Sequence, residues 1–201
     1  MTAAGQASVT PDMAVVSFAV TGTGKELGAT RDDVNARSSS VLARLREIGI
    51  AELDLNAPDV MVQPEYDYRK GQRLIGYRVA RQMVVSVRDL DRLGDVLDGV
   101  VGAGANEVHG AQMKSSDPSA ADHEALRQAT AAGRAKAEVL AAAAGVTLGG
   151  VLRIEEVLDV NGPPMPQMRM MAAAESADVQ TEVAIGDLAV TCHIRAWFAI
   201  K

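Results

Sequence analysis

The sequence predicts an α+β fold: antiparallel or mixed sheets with about three helices packed on them, in two layers. Three observations carry that expectation. Segments of period two are interleaved with segments of helical period, so each element has one dry side. Two pairs of strands are joined by short links rather than by helices, which is how antiparallel strands connect. Between 76 and 101 the change of period is abrupt. Tyr77, Val79, Met83, Val85 and Val87 alternate with Arg78, Gln82, Ser86 and Arg88. After Asp89 the apolar residues Leu90, Leu93, Val96, Leu97, Val100 and Val101 recur at helical spacing, with Asp89 as N-cap.

The elements follow in order. Pro11-Asp12 is a turn, and Ala14, Val16, Phe18 and Val20 alternate with Val15, Ser17, Ala19 and Thr21 in an early strand. A helix over 25–48 has the stripe Val34, Val41, Leu45 and Ile48, and Gly49 stops it. The next strand sets Val60, Val62, Tyr66 and Tyr68 against Asp59, Gln63, Glu65 and Asp67. Pro64 cannot donate to a ladder, so this strand is an edge or carries a bulge. Arg69-Lys70-Gly71-Gln72 is the hairpin loop into the strand 77–88.

After the helix 90–101, Gly102-Ala103-Gly104-Ala105-Asn106 turns the chain into a strand over 108–114. The longest helix starts at Asp117-Pro118, N-cap and first position, and ends at Gly145. Ala125, Ala129, Ala132, Gly133, Ala137, Ala143 and Ala144 give it small residues that allow close packing. A strand over 151–158 follows. Residues 161–177, rich in Pro, Met and Ala without a period, read as a mobile loop. The last strand, 184–200, puts Val190, Cys192, Ile194, Phe198 and Ile200 on one face. Thr191, His193, Arg195 and Trp197 take the other. The two central strands of the sheets are expected to be 77–88 and 184–200.

Composition narrows the function classes. A chain of 201 residues needs no staples to hold a core. With 48% hydrophobic but only 3% aromatic residues, that core is built of Val, Leu, Ile, Ala and Met. A net charge of −6 argues against nucleic acid as a partner. Cys192 is the one cysteine, so no intrachain disulfide forms. No apolar run is long enough to span a membrane. Met1-Thr2-Ala3-Ala4-Gly5 has no basic segment and no apolar h-region, so the chain as written is expected in the cytoplasm. With a leader removed, a periplasmic, envelope or secreted location fits equally.

No catalytic or cofactor-binding constellation is read. Gly22-Thr23-Gly24-Lys25 lacks the phosphate-loop spacing, with Glu26 where Ser or Thr belongs, and more simply turns strand into helix. Ser38-Ser39-Ser40 is read as a solvated helix face. Glu155 and Glu156, consecutive on a strand, point to opposite faces and cannot form an acid/base pair. Arg127, Arg134, Lys136 and Glu138 read as a solvated helix face with local pairs. His109, His123 and His193 have no metal-ligand spacing. Cys192, in the inward set, is a structural thiol. The exception is Met165, Met168, Met170 and Met171, whose thioethers suit Cu(I). Against that stands an adaptable apolar loop that packs on a partner, since Met fills irregular gaps.

The chain also resembles the SIMPL-domain family, which includes bacterial envelope proteins first noticed as immunogens. The residues that carry the resemblance are Gly5-Gln6-Ala7-Ser8-Val9 with Pro11-Asp12-Met13-Ala14, and Gly49-Ile50 with Leu53-Asp54-Leu55. Pro64-Glu65-Tyr66, Gly76-Tyr77-Arg78-Val79, Val87-Arg88-Asp89-Leu90-Asp91 and Ser116-Asp117-Pro118 continue it. Arg134-Ala135-Lys136-Ala137-Glu138 and Ala144-Gly145-Val146-Thr147-Leu148-Gly149 complete it. The resemblance covers nearly the whole chain, and a single domain over 1–201 is expected; helices and paired strands in each half point to a loose two-half organisation at 1–88 and 89–201. The resemblance implies no established catalytic residues, homo-oligomers in at least some members, and links to envelope or oxidative stress. The expected function is a non-catalytic, homo-oligomerising interaction module without cofactor. A Cu(I) or small-ligand binder using the Met-rich loop is the alternative, and a hydrolase with a cleft and a strongly perturbed ionisable group is the third class.

Overall fold

The computed structural model describes residues 1–58, 60–69, 71–157 and 186–201. The elements are β1 (Thr2–Val9), β2 (Met13–Gly24), α1 (Leu27–Glu47), β3 (Leu55–Asn56), β4 (Val60–Asp67), β5 (Arg73–Val87), α2 (Leu93–Gly102), β6 (Glu107–Lys114), α3 (Ser119–Ala143), β7 (Leu148–Val157) and β8 (Leu188–Ile200). The fold is α+β, as the periodicities predict. The chain forms two compact units, Asp12–Lys114 and the pair of segments Met1–Pro11 with Ser115–Lys201.

In the unit Asp12–Lys114, the strands named above pair antiparallel. The sheet runs β3-β5-β2-β6, with β4 also on β5. The β2–β5 register sets Ala14 opposite Val87, Val16 opposite Val85 and Phe18 opposite Met83. Those side chains form one dry face, and the stripes Val34, Val41, Leu45 and Ile48 of α1 and Leu93, Val96 and Val100 of α2 close over it. Burying each such aliphatic side chain stabilises by about 1.5–3 kcal/mol, which is why this face determines the sheet's register. α1 ends where Gly49, at φ +89°, lets the Ile50 N–H reach the Leu45 carbonyl at 3.0 Å and the Gly49 N–H reach Arg46 at 2.9 Å. β4 is an outer strand, and its ladder shifts register between Glu65 and Tyr66, next to Pro64.

Two polar residues break the expected pattern here. Ser38, expected on a solvated face, lies at 0% exposure within the buried stripe of α1, and its Oγ has no hydrogen-bond partner. Its neighbours Ser39 and Ser40 are exposed as expected. The reason is positional: 34, 38, 41 and 45 fall on one side of a 3.6-residue helix. Arg81 takes a place in the apolar row of β5, opposite Val20 and Val60, and its Nε is buried without a partner.

The second unit holds a three-stranded antiparallel sheet, β1-β8-β7, with β8 at its centre. β1 is an element the sequence reading missed. Its inward residues are small, Ala3 and Gly5, so no alternation of large and polar side chains announces it. What makes it a strand is α3. The helix lays Ala121, Ala125, Ala129, Gly133, Ala137 and Ala141, four residues apart, against the sheet. A Cβ on Gly5 would lie 2.1 Å from the Ala125 carbonyl oxygen and 2.3 Å from the Ala129 nitrogen. The helix backbone therefore rests directly on β1, and only glycine fits. α3 begins at Ser119, after Pro118, two residues beyond the expected cap. The Asp117 carboxylate still accepts the Ser119 N–H at 3.1 Å.

Candidate interaction surfaces

The charged side chains form local clasps. In the unit Asp12–Lys114, Arg88 donates to Asp54 from Nε at 2.9 and 3.0 Å and from Nη2 at 2.7 Å. The clasp fixes the 3₁₀ turn Glu52–Asp54 to the end of β5. The Arg88 hydrogen bonds hold the Asp54 carboxyl below its ordinary range, against burial, which alone would raise it. On the surface, Arg46 does the same to Glu52 through a bidentate contact at 2.9 Å. At the far end of β2, Asn106 behaves like a strand residue: its Oδ1 accepts the Thr21 N–H at 2.7 Å and its Nδ2 donates to the Thr21 carbonyl at 3.0 Å. Arg37 donates to the same Thr21 carbonyl at 2.9 Å, and Arg78 pairs with Glu107 at 2.5 Å. These bonds satisfy strand and helix ends.

The residues weighed from the sequence are dispersed in the same way. His109 on β6 and His123 on α3 are exposed, and His193 on β8 is half-buried. Among the described residues no three His, Cys, Asp or Glu side chains gather where they could hold a metal ion. Cys192 is buried with its Sγ 3.8 Å from the Asp122 carbonyl oxygen, and burial, helped by the charges of Asp122 and Glu156, pushes the thiol's pKa up. A thiol held protonated is a poor nucleophile. Glu155 and Glu156 occupy successive positions of β7, opposite Arg195 and Ile194. Gly24 ends β2 and leads into α1. Met165, Met168, Met170 and Met171, with the loop 161–177, lie outside the described residues.

Two apolar surfaces were not singled out from the sequence. The first is the hairpin arm of β4 and β5. Met61, Val62, Tyr66, Tyr68, Leu74 and Ile75 are all exposed there, Tyr68 at 71% and Ile75 at 50%. Tyr66 stands opposite Leu74 in the ladder, and its ring centroid lies 6.2 Å from that of Tyr68. The second surface is an open groove of about 680 Å³ between α3 and the strands β7 and β8. Both arise because an alternating strand shows apolar residues only where nothing in its own unit covers them. Period alone does not reveal the covering element.

Two antiparallel sheets, each with helices of its own unit against one face, define an α+β protein. The chain belongs to the SIMPL family, described as a protein of unknown function (DUF541), whose pattern matches residues 1–198. Among its relatives is the uncharacterized protein YggE of Edwardsiella ictaluri, 35% identical over 90% of this chain and 76% of the relative. The 26 kDa periplasmic immunogenic protein of Brucella melitensis is 32% identical over 100% of this chain and 84% of its own length. YggE of Escherichia coli K12 is 31% identical over 84% of this chain and 70% of the relative. No helix among the described residues is long and apolar enough to cross a membrane.

Proposed function

We propose that this chain is a non-catalytic assembly module of the cell envelope that associates with copies of itself through the β4–β5 arm. The carrying observation is the cluster of six large apolar side chains exposed on that one hairpin. These side chains lie on both faces of the arm, since Met61 and Val62, and Leu74 and Ile75, are consecutive strand residues. Large exposed apolar area marks an interaction site, and β4 is an outer strand. The residues that carry the family resemblance support the non-catalytic part, because their observed work is packing. Gly5 admits α3, Gly49 ends α1, Asp54 and Arg88 clasp each other, and Asp117 accepts the Ser119 N–H at the start of α3.

The envelope location replaces the cytoplasmic expectation, and its support is the Brucella relative, which is named a periplasmic protein. Envelope or oxidative stress, which the resemblance implies, is the setting we attach to the module. The Cu(I) reading has no observation in its favour, since its four methionines lie outside the described residues.

Light scattering over a wide concentration range tests the assembly. The wild-type chain is expected as a closed oligomer, and the double variant Tyr68→Asp, Ile75→Asp as a monomer with an unchanged far-ultraviolet spectrum. A wild-type protein that stays monomeric throughout, or an oligomer that the double variant leaves intact, contradicts the proposal.

A further inference from the structure

The groove between α3 and the sheet edge has a lining of unusual polarity. α3 lies over β1 and β8 with its alanine stripe. Beyond that contact, the helix-facing side of β7 is open, with Val151 at 52% and Ile154 at 48% exposure. The floor is apolar: Val151 and Ile154 from β7, and Ile194 and Phe198 from β8. Leu126 of α3 adds to it.

The polar lining comes from the helix alone. His123, Arg127 and Arg134, at a spacing of four and seven residues, stand along one wall with Thr130 between them. Glu124 and Glu138, which pair with Arg127 and Arg134, do not line the groove. The Thr130 hydroxyl is spent on the Leu126 carbonyl at 2.8 Å. Among the described residues the lining therefore holds cations and no carboxylate, the two arginines being hydrogen-bonded to helix carboxylates outside it, in a chain whose net charge is −6.

We propose that this groove binds a free single-chain anionic amphiphile, a long-chain carboxylate, with its alkyl chain on Val151, Ile154 and Phe198 and its head group at Arg127 and Arg134. Size and charge select this occupant. The exposed part of the floor is the single outer strand β7, a strip of about 4.8 Å. An alkyl chain fits such a strip. The volume of about 680 Å³ lies in the range of small-molecule sites. Guanidinium groups form strong hydrogen bonds with carboxylates, and their two stems can line the apolar chain. None of the residues involved belongs to the β4–β5 arm, so the site stands apart from the assembly reading.

The test is fluorescence titration of the full chain with dansylaminoundecanoic acid, followed by displacement. Laurate is expected to displace the probe, with dodecanol and dodecyltrimethylammonium at least about tenfold weaker and butyrate inactive at the same concentration. The double variant Arg127→Gln, Arg134→Gln should lose about tenfold in laurate affinity and keep its weak response to dodecanol. Ile154→Asp, at an exposed position that the fold tolerates, should lose both. Equal displacement by all three head groups, no probe binding, or unchanged laurate affinity in the arginine variant overturns the proposal. So does cosedimentation with phosphatidylglycerol vesicles that requires the two arginines while laurate fails to bind, because the surface would then be reading a membrane.

Discussion

The two units solve the same problem, a helix on an antiparallel sheet, with opposite materials. In Asp12–Lys114, large side chains from β2, β5, α1 and α2 interdigitate, and Phe18, Leu45 and Met83 are at most 1% exposed. In the other unit, alanines and Gly5 bring the α3 backbone onto the sheet, and the buried cluster is Ala3, Ala129, Ile194 and Ala196. The first arrangement derives its stability from apolar area. The second depends on close approach, which contributes many small dispersion contacts but little area. The difference has a consequence at the surface. A helix set down close over two strands leaves the third open, and the groove beside β7 results.

The contrast predicts opposite sensitivities. The largest effect is expected from Phe18→Ala, which empties the centre of the large-residue core and should cost about 3–5 kcal/mol in urea unfolding. Gly5→Ala adds a single methyl group but places it against helix backbone. It should cost about 1–3 kcal/mol or more, with α3 amides losing hydrogen-exchange protection. An Ala-tolerant Gly5 would mean that the contact is looser than these distances. Ser38→Ala should go the other way: removing a buried hydroxyl without a partner should raise stability by about 1 kcal/mol, read as a higher urea midpoint at unchanged slope.

The smallest effect is expected in the pH dependence of the Asp54–Arg88 clasp. The folded carboxyl titrates below its unfolded value of about 3.9, so its contribution is complete above that pH and is lost as pH falls through the folded value. Asp54→Asn should therefore flatten the decline in stability below about pH 5 and lower stability slightly at neutral pH. An acid limb identical to wild type would show that the clasp is not coupled to folding.

What could be read in advance depended on side-chain size. β5 and α2 were legible, because Val79, Met83, Val85 and Val87 alternate and Leu93, Val96 and Val100 recur at helical spacing. The outer position of β4 followed from Pro64 and the central positions of β5 and β8 from their length. β1 was not legible, since a row of Ala and Gly reads equally as a loop until a helix is laid on it. Ser38 and Arg81 were misjudged or passed over because polarity normally signals solvent, and here neighbours on both sides hold them in an apolar row.

The order of residues by itself determined the α+β class, the periods and the helix ends at Gly49 and Gly145, because each is a property of near neighbours along the chain. Tertiary structure alone decided that Met1–Pro11 joins Ser115–Lys201, which strand flanks stay bare, and that Arg127 and Arg134 line one groove with Ile154. Those facts depend on which surfaces meet across long separations, and a local pattern holds no information about its distant cover.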